Sequence, residues 1–403
     1  MIRYVGKGQA EGRVSAPTSK SVAHRLLIAA AMCEGQRSVI EGITPCEDVL
    51  ATIDCLRALG VKIEYDGSRA AIEGIDFKKA KPSSALKCRE SGSTLRFLIP
   101  LALLSGEEMI LSGSEKLISR PQGVYEEIAS DEGFLFKKDI DKITVKGRLR
   151  SGEYRIRGDV SSQFITGLIF ALSTLNGDSK ILLTTKMESK SYVELTRSAL
   201  SEFGVKVEWD GDSVLQIKGG QKPYARSITV EGDWSGAAFI EALNFLGGSV
   251  AVDGLNENSL QGDRAYREYF ASLDGGFCEI NIEDCPDLGP ILFTIAAVKH
   301  GGRFTGTKRL KIKESDRAEA MRAELSKFGA SLLIEENSVT VQKRQLHQPR
   351  ERLCGHNDHR IVMSLAVILT EFGGEIDGCE AVSKSYPGFF EDIKKLGITT
   401  YEI

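Results

Sequence analysis

The sequence predicts an α/β (α+β) fold made of six copies of one β-α-β-α-β-β unit. Three observations predict it. Six times a small polar cluster opens an apolar run of helix length that stops at glycine. A short β-like run follows each of these glycines. A second, amphipathic helix then ends in a leucine-rich turn before another glycine and leads into alternating strands.

The six openers, in order, are Ser19-Lys20-Ser21, Glu90-Ser91-Gly92-Ser93, Ser161-Ser162-Gln163, Gly232-Asp233-Trp234-Ser235, Pro286-Asp287-Leu288 and Asn357-Asp358-His359-Arg360. Their runs stop at Gly35, Gly106, Gly177, Gly247, Gly301 and Gly373. Hydroxyl, carboxylate and amide side chains cap helix N-termini, and glycine suits the position just past a helix end. Ser38-Val39-Ile40 and Lys180-Ile181-Leu182-Leu183 are examples of the β-like runs. Leu56-Arg57-Ala58-Leu59-Gly60 ends one second helix, and Leu200 to Gly204 and Leu325 to Gly329 repeat it. Val205 to Trp209 and Ser338 to Val341 alternate as strands. Each copy spans roughly 70 residues, and the fifth is expected to be shorter. Six copies suggest two lobes of three. The first helix of each is apolar on nearly all sides and should be buried; the second has a polar face. First helices whose N-termini share one end of a lobe would present a positive face suited to anions. Repetition alone also suits, less well, a ring or solenoid that binds something large.

Bulk properties narrow the function. The 403 residues carry 52 Lys and Arg against 56 Asp and Glu, a net charge of −4. A general nucleic-acid binder usually carries a basic excess, so no nucleic-acid partner is expected. Anionic small substrates remain open, because a local cationic cluster can hold phosphate on an acidic protein. The eight cysteines show no zinc or redox spacing and read as reduced cytosolic thiols. The first residues, Met1-Ile2-Arg3-Tyr4, form no signal peptide, and no apolar run reaches the ~20 residues that span a bilayer. A soluble, cytoplasmic protein without a membrane partner is expected.

Chemistry gathers at the openers and at the loops after the β-like runs. Ser21 and Arg25 lie four apart on one helix face behind Lys20. Gly92 lets backbone N–H groups approach a ligand beside Ser91, Ser93 and Arg96. Ser161, Ser162 and Gln163 offer two hydroxyls and an amide. Ser119-Arg120-Pro121, Ser189-Lys190-Ser191-Tyr192 and Lys313-Glu314-Ser315-Asp316-Arg317 open second helices, and Lys384 stands in Ser383-Lys384-Ser385-Tyr386-Pro387. Each cluster alone is also an ordinary helix cap or a solvated salt-bridged start. Asn357 to Arg360 precede a strongly apolar run, where charge is costly unless it meets a ligand or partner. No phosphate loop ending in Gly-Lys-Ser/Thr, no paired metal-binding histidines and no Gly-x-Ser-x-Gly elbow occurs.

Taken in order, Ser19-Lys20-Ser21-x-x-x-Arg25, Ser161-Ser162-Gln163-Phe164, Pro286-Asp287, Lys313-Glu314-Ser315-Asp316-Arg317 and Asn357-Asp358-His359-Arg360 resemble the 3-phosphoshikimate 1-carboxyvinyltransferases (EPSP synthases), enolpyruvyl transferases, over the whole chain. The resemblance implies a two-domain enolpyruvyl-transferase fold with parallel buried helices, an inverse α/β barrel. Residues 1–15 plus 229–403 would form one domain and 16–228 the other, with the active site in the cleft between them. It implies transfer of enolpyruvate from phosphoenolpyruvate to the 5-hydroxyl of shikimate 3-phosphate, with no metal and no organic cofactor. Lys20, Ser21, Arg25, Ser161, Ser162, Gln163, Ser189, Tyr192, Asp287 and Lys313 would contact shikimate 3-phosphate. Lys20, Gly92, Arg120, Gln163, Arg317, Arg360 and Lys384 would hold phosphoenolpyruvate. Asp287 is the expected base for the 5-hydroxyl, and Glu314 or Lys20 would handle the proton at C3. The resemblance further implies a monomer inhibited by glyphosate.

The sequence departs from the family's commoner pattern at Thr18 (often Gly), Glu90 (often Asn) and Phe97 (often Pro), and has Arg309 near a frequent Asn. The related transferase acting on UDP-N-acetylglucosamine typically has Lys-Asn near its start and a reactive Cys in the loop matching residues 114 to 120. Here the pair is Lys20-Ser21, and Ser114 to Arg120 contain no Cys.

Overall fold

The computed structural model describes all residues from Met1 to Ile403. They form two compact units: Lys20–Val230, and Met1–Ser19 with Glu231–Ile403. The chain therefore changes unit at 19/20 and 230/231, four and two residues beyond the expected boundaries at 15/16 and 228/229. Each unit encloses its own apolar core.

The six opener-to-glycine runs are the helices Lys20–Ala31, Gly92–Ala102, Ser162–Leu172, Trp234–Glu241, Gly289–Val298 and His359–Phe372. All are buried along most of their length, as their apolar character requires. Ser91, Ser161, Asp233 and Asp358 cap four of them by accepting backbone N–H bonds. Five of the six stop glycines have positive φ, from Gly35 at +67° to Gly247 at +86°. Gly177 is the exception. A Cβ there would lie 2.3 Å from Ser151 Oγ, so close approach rather than backbone twist requires glycine. The leucine-rich ends are one capping motif used repeatedly. Val61 N donates to Leu56 O, Val205 N to Leu200 O, Ala330 N to Leu325 O and Ile398 N to Ile393 O, each around a glycine.

Five copies carry a four-stranded sheet with one shared order. The strands flanking the buried helix pair in parallel, as a strand–helix–strand crossover demands, and the last two strands add antiparallel. The copy that falls short is the fourth, not the fifth: its sheet has only two strands, Glu11–Ser15 and Ser249–Asp253. After its second helix, Tyr266–Gly275, the chain runs directly into the first strand of copy five at Glu279–Asn281.

Three strands are lent across long stretches of sequence. Ser227–Thr229, at the end of copy three, pairs in parallel with Arg37–Glu41 and opens copy one. Ile2–Val5 lies between Gly374–Asp377 and Thr400–Glu402 and completes copy six. Glu11–Ser15 opens copy four. Lys20–Val230 thus owns all twelve strands of its three sheets, whereas the other unit needs residues on both sides of it. No helix is long and apolar enough to cross a membrane.

Candidate active site

In Lys20–Val230 the starts of the buried helices converge. Lys20, the first residue of its helix, donates from Nζ to Asp48 Oδ2 at 2.9 Å, and both side chains are largely buried. Gln163 links copies two and three: Arg96 Nη1 donates to its Oε1 at 2.7 Å, and its Nε2 donates to Ser93 Oγ at 3.0 Å. The Arg96 guanidinium also lies over the Phe164 ring, 4.9 Å from its centroid. A Cβ on Gly92 would sit 3.1 Å from Arg120 Nη1 and 3.5 Å from Gln163 Oε1. Gly92, Arg120 and Gln163, expected to share a ligand, are therefore neighbours.

A second cluster surrounds Arg25. Its Nη1 donates to Ser21 O at 2.7 Å, its Nη2 to Tyr192 O at 2.9 Å and its Nε to Thr196 Oγ1 at 2.8 Å. Burial lowers its pKa to about 10, still far above neutrality. Ser162 is buried on the first helical turn, and Ser161 Oγ accepts the Gln163 N–H at 3.3 Å. Ser189, just before the helix Lys190–Glu202, adopts φ +56° and ψ +48°. That left-handed geometry strains a non-glycine residue and is concentrated at functional positions.

The other unit carries a charged network. Asp287, on the turn before Gly289–Val298, accepts from Lys313 Nζ at 3.0 Å and Arg317 Nη1 at 2.7 Å, and lies 3.5 Å from Arg360 Nη2. Burial acts to raise its pKa, but Lys313, Arg317 and Arg360 outweigh that and hold it well below the usual carboxylate range. Arg317 is 1% exposed and is gripped on every nitrogen, by Asp287, by Glu314 at 2.7 Å and by Asp358 at 2.8 Å. Lys384 Nζ donates to Asn357 O at 2.6 Å and Oδ1 at 2.8 Å, and Asn357 has φ +51°. The cap residue Asp358 thereby joins Arg317 to the loop that receives Lys384.

Arg360 differs from Arg317. It is 4% exposed, its guanidinium lies over the Phe239 ring at 5.6 Å, and its Nε and Nη1 have no hydrogen-bond partner. A buried guanidinium with unused donors is costly unless an anion completes it.

Several residues of these clusters received no role from the sequence. Asp48 faces Lys20 from 28 positions away, and nothing around Glu47-Asp48 signals that meeting. Asp263 is buried near Asp287, Asp233 and Arg360. Burial and the two carboxylates raise its pKa to about 7 against the pull of Arg360. Asp358 lies within the opener Asn357 to Arg360, and its position three residues before an apolar run is the signal the sequence offers. Arg309, flagged as a departure, is buried and donates from Nη2 to Glu283 O. No group of three or more His, Cys, Asp and Glu side chains is arranged to hold a metal ion.

The fold is that of the enolpyruvyl transferases. It matches an EPSP synthase structure from Acinetobacter baumannii with a TM-score of 0.78, covering 100% of both chains at 23% identity. It matches the enolpyruvyl transferase NikO from Streptomyces tendae with a TM-score of 0.77 at 13% identity, covering 99% of this chain and 98% of that one.

Sequence carries the assignment further. The profile of EPSP synthase (3-phosphoshikimate 1-carboxyvinyltransferase) matches residues 5–276 and 273–393. Proteins named 3-phosphoshikimate 1-carboxyvinyltransferase from Clostridium kluyveri and Clostridium novyi are 41% and 39% identical, each covering 96% of this chain and 95% of the relative. The chain belongs to the EPSP synthase family.

Proposed function

We propose that the chain performs its family's reaction with the clusters described above. It transfers the enolpyruvyl group of phosphoenolpyruvate to the 5-hydroxyl of shikimate 3-phosphate, releasing 5-enolpyruvylshikimate 3-phosphate and phosphate. The observation that supports this most directly is the buried, incompletely bonded Arg360 beside Asp287, Lys313 and Arg317. Such a concentration of cations fits substrates that each carry a phosphate and a carboxylate.

Ser21, Arg25, Ser161, Ser162, Ser189, Tyr192 and Lys313 hold shikimate 3-phosphate. Gly92, Arg120, Arg317, Arg360 and Lys384 hold phosphoenolpyruvate, with Lys20 and Gln163 serving both. The 5-hydroxyl oxygen bonds to C2 of the enol as C3 gains a proton. The C2–O bond to phosphate then breaks, and C3 returns its proton as the double bond re-forms. Asp287 is ionised and takes the hydroxyl proton. Its three cationic neighbours make it a weak base until the anionic substrate draws Arg317 and Arg360 toward itself. Glu314, on the Arg317 guanidinium, and Lys20 are the groups for the C3 proton.

Phosphate release from phosphoenolpyruvate should require shikimate 3-phosphate. Release with UDP-N-acetylglucosamine in its place would overturn the reading. Glyphosate should compete with phosphoenolpyruvate at the Gly92 turn, and no inhibition at millimolar levels would remove that part. The protein acts as a monomer in the cytoplasm. Its eight free cysteines suit a reducing compartment, and a mass measurement in solution checks the monomer.

A further inference from the structure

His24 and Arg25 are consecutive on the first helix, and each ends on a different pair of buried threonines. His24 Nδ1 lies 2.7 Å from Thr52 Oγ1, which lies 2.7 Å from Thr94 Oγ1. Thr94 Oγ1 contacts Ser91 Oγ at 2.7 Å and Asp48 O at 3.3 Å. On the other side, Arg25 Nε reaches Thr196 Oγ1, which is 2.9 Å from Thr166 Oγ1 and 3.0 Å from Tyr192 O. All four threonines are fully buried.

Counting protons fixes the direction of each chain. The Asp48 carbonyl can only accept, so Thr94 spends its single hydroxyl proton there, and Thr52 donates to Thr94. Thr52 has then spent its proton, and His24 must donate from Nδ1. This leaves His24 Nε2 as a bare acceptor, consistent with its lack of a partner and with an imidazole that burial, Lys20 and Arg25 keep neutral. Thr196 accepts from Arg25 and from Thr166 and donates to Tyr192 O, which uses its full capacity.

The two chains end at different places. The first ends on Ser91, the cap immediately before Gly92, and on the backbone of Asp48, the partner of Lys20. The second ends on the carbonyl of Tyr192, in the turn that carries Ser189. We propose that Thr52 and Thr94 position the phosphoenolpyruvate turn at Gly92, whereas Thr166 and Thr196 independently position the shikimate 3-phosphate turn at Ser189–Tyr192. Neither pair touches substrate; each acts through the turn it holds. The assignment rests on the substrate roles given above.

Alanine and serine variants at Thr52 and Thr196 test it, because within each pair the cavity is nearly the same and the hydroxyl alone differs. Thr52→Ala should raise the KM for phosphoenolpyruvate about tenfold, the usual cost of a buried hydrogen bond, and leave the KM for shikimate 3-phosphate within about twofold. Thr196→Ala should do the reverse. Thr52→Ser and Thr196→Ser should restore most of each loss. Both KM values moving together, or alanine and serine behaving alike, would overturn the proposal.

Gly92→Ala and Ser162→Ala calibrate the two substrates directly. If they fail to separate the KM values, the substrate assignment is wrong. If they separate them and the threonine variants do not, the positioning role alone is wrong. Should an alanine variant not fold, the unaltered protein gives a second reading. Shikimate 3-phosphate alone should shift the methyl NMR signals of Thr166 and Thr196 several-fold more than those of Thr52 and Thr94, which meet it only through Lys20 and Asp48. All four standing still, or all four moving alike, would overturn the separation.

Discussion

Asp287 shows what chemical type reveals about a residue and what it conceals. The family resemblance at Pro286-Asp287 marks it for the site, and the structure finds it among three cations. That Arg317 would be bonded on every nitrogen, or that Asp48 would meet Lys20, was not legible, because those partners are set by packing between distant stretches. Asp287→Ala should lower kcat by about a hundredfold or more, the scale of a lost general base. The KM for phosphoenolpyruvate should not rise, since Arg317 and Arg360 lose a competing carboxylate. Steady-state kinetics decide this, and unchanged turnover would remove Asp287 from the mechanism.

Asp263 gives a pH signature. Its folded pKa, about 7, lies above the unfolded value of ~3.9. The folded state then binds the proton more tightly, so this contribution to stability is full below ~pH 4 and is lost as pH rises toward about 7. Asp263→Asn removes the dependence. Urea midpoints of the variant relative to the unaltered protein should improve from pH 5 to pH 7.5; a constant difference would contradict the assignment.

For helices and their ends, sequence was most informative. Openers and stop glycines recur with the repeat, and the helices lie where the period put them. Two things escaped it. The left-handed Ser189 is neither glycine nor asparagine, so its residue type does not announce it. The shortened copy was also misplaced by one. The step from the opener at Gly232 to that at Pro286 is the shortest between openers, which is the mark the missing hairpin leaves in sequence, and strand pairing shows that Tyr266–Gly275 leads straight to the next sheet.

Gly92 belongs at this scale, since it is the first residue of a helix and its backbone would tolerate alanine. The new methyl would press on Arg120 Nη1, the end of a flexible side chain. Gly92→Ala should therefore change stability by less than about 1 kcal/mol, raise the KM for phosphoenolpyruvate about tenfold or more and weaken glyphosate. Thermal melting together with kinetics checks this; a large drop in melting temperature would show that the glycine serves the fold instead.

Across the whole molecule, the repeat revealed two sets of three copies but not the lending of strands. Ile2–Val5 pairs with residues about 370 to 400 positions away, and short alternating strands carry no address. Lys20–Val230 holds every strand of its three sheets, so it should fold alone with a cooperative melt. Residues 231–403 lack two strands that their sheets require and should not, unless residues 1–19 are supplied as a peptide or a fusion. Circular dichroism of the fragments would show it; a cooperative transition for 231–403 alone would refute the dependence.

Strand lending also fixes an order of events on the ribosome. Ile2–Val5 finds its partners only when Gly374–Asp377 and Thr400–Glu402 have been made. Until then Ile2–Val5 is an unpaired β-segment of the nascent chain, while Lys20–Val230 can already have folded. Chaperones that shield exposed strand edges should therefore bind longer at Ile2–Val5 than at Thr400–Glu402, the strand made last.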